Sequence, residues 1–454
     1  MQTITLEKSF IKKGRILNPD QILDLFKKTK ISSDWSFEGV TPSQTSKLTH
    51  CYHRYPAKFI PQLVEKLMDE YLIGYGPFYI NDLFMGSGTT LACAITRGYF
   101  ASGTDINYSA ELITRAKCAP IEPTLLRNKI NKFLEGLSFL DRENSFSSKK
   151  YKSKIPKSKI ERIKYWFTPK TIEELGIILA RINYERDEDV KLFLECSFSH
   201  ILKTCSRWLM SSTKPTIDKD KKVTKPLFAF KKHIKKMIRG NEAFWNIVPE
   251  DVKRNINKYL IVKRQDARRQ PVNNNTVDIQ ITSSPYVTSY EYADLHQLTT
   301  IWLEPEVDLK EYKKQFIGTS AKTNGTRILR SQIGKDIEIK LQKVDKKMAD
   351  EVEAFFVDMQ ECFDETHRIL KDGGRCCYVI GNTKLKGVDI LNAEVFAESM
   401  QYSGLKIDRI IKREIPSKIL PSKRDAKTGR FAANDSADSF AYPTEYIVIG
   451  RKYD

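Results

Sequence analysis

Apolar and polar positions along the chain alternate as strands and helices in turn, with one long helical interruption. Tyr79 and Ile80 read as the end of a buried strand, and Leu91-Ala-Cys-Ala-Ile95 has the propensity of an opening helix. A second strand, Tyr99-Phe-Ala-Ser-Gly-Thr-Asp105, follows directly. Strand character returns at 259–262 and 277–282, then at 375–380, 405–412 and 444–450. Helical spacing marks 20–30, with Ile22, Leu23, Leu25 and Phe26 on one face, and also 62–71, 171–181, 348–370 and 393–400. It marks 187–210 as well, through Val190, Leu192, Phe193, Phe198, Ile201 and Leu202, with acids at 187–189 suiting a helix start. Pro61 suits a first helical turn, and Lys371-Asp-Gly-Gly374 reads as a helix C-cap before the strand at 375. Strands alternating with helices predict an α/β protein with a doubly wound, Rossmann-like sheet. The interruption between the second and third strands is predicted as a largely helical basic insertion. The expected division is 1–112 for the N-terminal segment and ligand-binding half, 113–258 for the insertion and 259–454 for the second half. Residues 304–347 are polar and rich in Gly and Lys, and are expected to be a mobile insertion near the site.

The chemistry concentrates where the first strand meets its helix, at Asn81-Asp-Leu-Phe-Met-Gly-Ser-Gly-Thr-Thr90. Gly86 and Gly88 permit a tight turn and close approach of backbone to a ligand. Asp105 ends the next strand about 20 residues later, where such sheets place a ribose-binding carboxylate. The turn has no P-loop lysine, so a nucleoside cofactor is expected rather than a triphosphate.

Charge adds a partner to this picture. The 454 residues carry a net charge of +19, an excess that points to a polyanion. Residues 147–164 hold eight Lys or Arg against one acid, Glu161, and read as an exposed basic arm. A second basic run, 219–239, interleaves Phe228, Phe230 and His233 with lysines, as a nucleic-acid face does, although aromatics in a helix core give the same pattern. No apolar run reaches transmembrane length, and the polar start is not a secretory segment, so no membrane partner is expected. The eight cysteines show no metal-ligand spacing; they are expected to be buried free thiols in a reducing cytoplasm, and no structural metal is expected.

Asp82-Leu-Phe-Met-Gly-Ser-Gly-Thr-Thr90 resembles the S-adenosylmethionine loop of the DNA amino-methyltransferase family, D-P-F-x-G-S-G-T-T, with Leu83 in place of proline. Thr282-Ser-Ser-Pro-Tyr286 resembles that family's T-S-P-P-Y turn, with Ser284 where the first proline usually stands. His53-Arg-Tyr-Pro-Ala-Lys-Phe-Ile-Pro61 is close to the family's segment against the methionine end of the cofactor, and Asp266-Ala-Arg268 resembles its G-D-A-R turn, with Gln265 for glycine. Residues 187–210, with Cys205-Ser-Arg-Trp208 and Lys214-Pro215, also resemble an element of the group, and Leu370-Lys-Asp-Gly-Gly-Arg375 with the strand after it resembles a segment found throughout S-adenosylmethionine-dependent folds.

The resemblance implies S-adenosylmethionine as cofactor, bound by Lys58, Phe59, Pro61, Asp82, Phe84, Gly86, Ser87, Gly88, Thr89, Thr90, Asp105 and, through the adenine amino group, Asp266. It implies a catalytic turn of Ser283, Ser284, Pro285 and Tyr286 acting on an exocyclic amine of a flipped base in double-stranded DNA. Ser at the first motif position is the usual cytosine-N4 form and Asp or Asn the adenine-N6 form, so Ser283 points to cytosine N4 while Ser284 departs from both. No Pro-Cys motif of ring-carbon cytosine methyltransferases is present. Lys149, Lys150, Lys152 and Lys154 are expected on phosphates, and Lys231, Lys232 and Lys235 at base edges. The kinship also implies a restriction–modification role beside a cognate endonuclease acting on the same site without a stable complex. A non-catalytic DNA-binding protein and an RNA amino-methyltransferase remain as alternatives.

Overall fold

The computed structural model describes residues 16–55, 59–141, 153–212, 214–287, 292–319, 327–415, 423–424, 439–440 and 444–453. Seven strands form the main sheet: β1 (Tyr79–Asp82), β2 (Phe100–Asp105), β3 (Leu260–Arg264), β4 (Val277–Ser283), β5 (Leu370–Ile380), β6 (Leu405–Glu414) and β7 (Thr444–Lys452). Their order is β3-β2-β1-β4-β5-β7-β6. The first five are parallel, and β7 runs antiparallel between β5 and β6. The register pairs Asp82 with Gly103 and Asp105 with Arg264, which brings the carboxyl ends of β1, β2 and β3 level. Strand order reverses between β1 and β4, and the crevice above such a reversal is where an open α/β sheet binds ligands.

Alternation along the strands gives the sheet two apolar faces. Cys376 and Cys377, adjacent on β5, enter different cores, and both are buried free thiols as the sequence suggests. The helices used below are α1 (Pro61–Tyr71), α2 (Thr89–Thr96), α3 (Tyr108–Cys118), α4 (Glu188–Cys205), α5 (Pro226–Ile247), α6 (Gln297–Leu303), α7 (Lys346–Ile369) and α8 (Asn392–Tyr402). Leu63, Leu67 and Leu91 of α1 and α2 pack with Ile279, Ile281 and Cys377 on one face; Phe355, Phe363 and Phe396 of α7 and α8 pack with Val277, Cys376 and Tyr378 on the other. Starts are capped locally: Asp187 accepts from the Val190 N–H at α4, and Asp345 from the Met348 N–H at α7.

Between β2 and β3 the described chain is helical and builds a third core, in which Trp166 stacks on Trp208 at 5.0 Å. This core also takes Cys51, Tyr52, Ile301 and Trp302, so the insertion is packed into the protein from both flanking segments. The proposed boundary at 112/113 falls inside α3.

Several sequence expectations need correction. Residues 304–347 contain the helices Leu309–Lys314 and Gln332–Gln342, which bury Tyr312 and Ile333, Ile337 and Leu341. Their apolar positions at i, i+4 are masked by the lysines between them. Lys371-Asp-Gly-Gly374 is not a cap: β5 already runs from Leu370, and Gly373, at φ +81°, lies where the β4–β5 register shifts. The helix expected to Met210 ends at Cys205, after which Trp208 bridges to Ile217 across a narrow loop. The end of the expected basic arm runs into a helix, Ile160–Trp166, that buries Ile163 and Trp166.

Candidate active site

A cavity of about 860 Å³, counted to its open mouth, lies above the carboxyl ends of β1 to β4. Its wall brings together sequence elements that are far apart: Asp82 and the turn after β1, Asp105 at the end of β2, Asp266 after β3, and Ser283 with Pro285 after β4.

The glycine turn is fixed by the carboxylate facing it. The Gly86 N–H donates to Asp105 Oδ2 at 3.0 Å, and the Asn107 N–H to Oδ1 at 2.9 Å. Gly86 sits at φ +47°, and a Cβ there would come within 3.2 Å of the Tyr55 ring. Gly88, at φ +68°, faces the other way: a Cβ would meet Thr114 Oγ1 at 2.6 Å, so this glycine lets α3 close against the turn. Thr90 donates its hydroxyl to the Ile281 carbonyl at 3.3 Å, and Pro61 is buried in the first turn of α1. Gly88, Thr90 and Pro61 therefore stand behind the wall, while Phe59, Asp82, Phe84, Gly86, Ser87, Thr89, Asp105 and Asp266 line it. Lys58 lies outside the described residues.

Three carboxylates face the cavity in different electrostatic settings. Asp82 accepts from the Thr282 hydroxyl at 2.6 Å and from the Phe84 N–H at 3.1 Å. Burial nonetheless pushes its carboxyl up to about 6. Asp105 is likewise pushed up to about 6 by burial, with the charge of Asp82 adding to the effect and its two N–H donors opposing it. Asp266 is gripped by Arg268, which donates to Oδ1 at 3.0 Å and Oδ2 at 2.6 Å and reaches back to Asp358 at 2.9 Å. Asp266 is thus salt-bridged to Arg268 and also has a place in the wall.

The Ser-Ser-Pro-Tyr turn is divided. Ser283 and Pro285 line the cavity. Ser284 is buried, its hydroxyl 3.5 Å from the Val379 carbonyl. Tyr286 donates its hydroxyl to Glu445 Oε1 at 2.9 Å and does not line the cavity.

Several further residues complete the wall. Tyr55 lies inside a quoted motif, and its ring stacks on His296 at 4.8 Å and on Tyr292 at 6.5 Å. Gln315, Phe316 and Ile317 come from the stretch expected to be mobile, and no motif marked them. The chain also gathers histidines: His53 Nε2 is 3.0 Å from Ser199 Oγ, its ring lies 5.3 Å from His200, and His200 stacks on the buried His233 at 3.6 Å.

Of the basic residues, Lys149, Lys150 and Lys152 lie outside the described residues, and Lys154 is exposed just before the Ile160–Trp166 helix. Lys232 and Lys235 are exposed on α5 and Lys231 half-buried. The aromatics among them correct the expectation of a shared nucleic-acid face. Phe230 and His233 are buried on the apolar side of α5, and only Phe228 is exposed, at 62%.

The chain is similar to the Type II methyltransferase M.MvaI of Kocuria varians, with 28% identity over 448 residues that cover 92% of this chain and 96% of that protein. It is 23% identical to the Type II methyltransferase M.BsoBI of Geobacillus stearothermophilus over 87% of this chain and 86% of that one. It is also 23% identical to the Type II methyltransferase M.MjaII of Methanocaldococcus jannaschii, over 64% of this chain and 69% of that one. No protein-family model matches. Among solved structures, a putative DNA modification methylase from Thermus thermophilus matches 22% of this chain and 38% of its own at 18% identity and a TM-score of 0.16, too slight a likeness to bear on the fold. Similarity along nearly the whole chain to a Type II methyltransferase bears out the kinship that the motifs implied.

Proposed function

We propose that this chain, a relative of the Type II methyltransferases, is an S-adenosylmethionine-dependent DNA methyltransferase of a restriction–modification system, and that it methylates the exocyclic N4 of cytosine in duplex DNA. One observation carries the reading: the glycine turn with Asp105 and the Ser283–Pro285 turn form walls of one cavity, although they lie far apart in sequence. The cavity suits the cofactor. Gly86 leaves its wall open where a Cβ would crowd Tyr55, and three carboxylates can accept hydrogen bonds from a nucleoside. In this reading Asp105 receives the ribose hydroxyls, Asp266 the adenine amino group, and Phe59, Phe84 and Thr89 the rest of the molecule. When bound, S-adenosylmethionine supplies a methyl group on a sulfonium.

The chain's own task is to make a poor nucleophile competent. The lone pair of an exocyclic amine is delocalised into its ring. Two acceptors aimed at its hydrogens favour a pyramidal nitrogen and concentrate that lone pair. The Ser283 hydroxyl and the Ser284 carbonyl are assigned these roles, and Pro285 fixes the turn that presents them. Tyr286, held by Glu445, would give the base an aromatic face. Alignment and electrostatics then account for most of the acceleration. In a duplex the target must leave the stack at a cost of a few kcal/mol, offset by phosphate contacts. We assign Lys149, Lys150, Lys152 and Lys154 to phosphates and Lys231, Lys232 and Lys235 to base edges. Residues 113–258 would then be the recognition region between a cofactor half and a catalytic half. A cognate endonuclease would share the DNA site without forming a stable complex.

The test is to digest DNA and RNA from expressing cells to nucleosides and weigh them by mass spectrometry. N4-methylcytosine in DNA is the expected product. N6-methyladenine would keep the chemistry and overturn the base assignment. Methylated RNA alone, or DNA binding without methylation, would overturn the function.

A further inference from the structure

Lys117 is the one cation set directly behind the glycine turn among the described contacts. It lies on α3, 1% exposed, and its ammonium donates to the Ser87 carbonyl at 2.5 Å. The titratable groups that act on it most strongly are the thiols of Cys118 on its own helix, Cys93 of α2, Cys196 of α4 and Cys51, and its charge acts in turn on His53. No described carboxylate lies within ion-pair distance of it. A buried charge with no counter-charge is costly, and a hydrophobic residue of similar volume would fill this space more cheaply. One carbonyl accepts one of its three hydrogens and offsets only part of that cost. Ser87, whose carbonyl holds the ammonium, lines the cavity.

We infer that Lys117 is a positioning residue for the cofactor: its ammonium fixes the Ser87 carbonyl and places a buried positive charge behind the turn, where it favours a ligand that carries a carboxylate. The inference rests on S-adenosylmethionine being the ligand, since that molecule has a carboxylate at its methionine end. Burial holds the Lys117 amine down at about 8, well below its ordinary range, and the neighbouring thiols oppose this. The amine is therefore charged at neutral pH and loses its proton just above it.

A structural role and a positioning role respond to pH with opposite signs. With its pKa lowered in the fold, Lys117 holds fewer protons than it would in the unfolded chain between about pH 8 and 10.5, so its effect on folding stability becomes more favourable as pH rises through that window. Its attraction for a carboxylate disappears over the same window.

The experiment is calorimetric binding of S-adenosylhomocysteine and of its decarboxylated analogue to the full chain, with thermal melting alongside. The wild type should prefer the carboxylate-bearing ligand at pH 7 and lose most of that preference by pH 10. Lys117→Met should reduce the preference on the order of tenfold, with little change for the decarboxylated ligand, and Lys117→Arg should restore part of it. Equal weakening of both ligands, or of neither, would overturn the inference. If Lys117→Met does not fold, the wild-type ratio between pH 7 and 10 decides, and a ratio that stays constant overturns the inference. Failure of the wild type to bind either ligand would remove the cofactor reading itself, an outcome separate from the others because it appears before any variant is made.

Discussion

Single residues at this site do two kinds of work, facing the ligand or shaping the backbone that does. Asp105 does both, since its oxygens hold Gly86 and Asn107 while lining the cavity. Its carboxyl and that of Asp82 are pushed up to about 6 by burial. The deprotonated form is the better acceptor, so affinity for S-adenosylhomocysteine should rise from pH 5 to 7 and level off. Titration calorimetry across that range should show the rise, and Asp105→Asn should bind weakly with a smaller pH dependence. Gly88 belongs to the second kind. Gly88→Ala should cost about 1–3 kcal/mol of stability from overpacking and a strained φ, and Gly88→Ala with Thr114→Gly should recover part of it in urea denaturation. The sequence pattern exposed both glycines and both acids, because turn chemistry is local. It could not separate Gly86, against the cavity, from Gly88, against α3, because that difference depends on which helix packs behind the turn.

At the scale of elements, the site is a junction of strand ends, and its least expected brace comes from the far end of the chain. Tyr286 after β4 bonds Glu445 on β7, tying the Ser-Ser-Pro-Tyr turn to the antiparallel pair that closes the sheet. Glu445→Ala should lower the methylation rate about tenfold or more through loss of alignment while leaving S-adenosylhomocysteine affinity near wild type; single-turnover kinetics beside calorimetry would reveal the split. Tyr286→Phe should resemble Glu445→Ala if the brace matters, and the wild type if only the ring does. Helices and strands with a clean period were legible: 62–71, 171–181 and 393–400 lie within or nearly within observed helices. The 304–347 stretch was not, because its helices hold few apolar positions each and are stabilised by contacts that sequence spacing does not reveal. Phe316 reaches the cavity from there.

At the scale of the molecule, three large cores and a small cluster around Tyr312 and Phe316 meet at the cavity, and histidines sit beside the helical core. Burial holds His233 and His296 down at about 3. With the folded value below the unfolded one, their contribution to stability is full above about pH 6.5 and is lost as pH falls, by about 1.4 kcal/mol per pH unit for each. Asp82 and Asp105 act with the opposite sign between about pH 4 and 6, so the informative quantity is the difference between the wild type and His233→Asn. Between pH 6 and 4 the variant's stability should fall less steeply by about that slope, as urea denaturation at each pH would measure. The α/β class and the helical insertion were legible in the sequence, but the sharing of the insertion's core with Tyr52 and Trp302 was not, since contacts so far apart in sequence leave no periodic trace.

The pairing of β2 with β3 carries a consequence for synthesis. Residues 106–259 must leave the ribosome between the two strands. At about 5–20 residues per second that interval lasts roughly 8–30 s. Throughout it the outer edge of β2 has no partner, and an unpaired strand edge invites pairing with another chain. During the same interval the helices of the insertion emerge, with most of the third core already among them. The nascent protein would thus hold a folding helical body beside an open sheet edge, with Asp105 at the end of that edge strand, until β3 emerges to cover it.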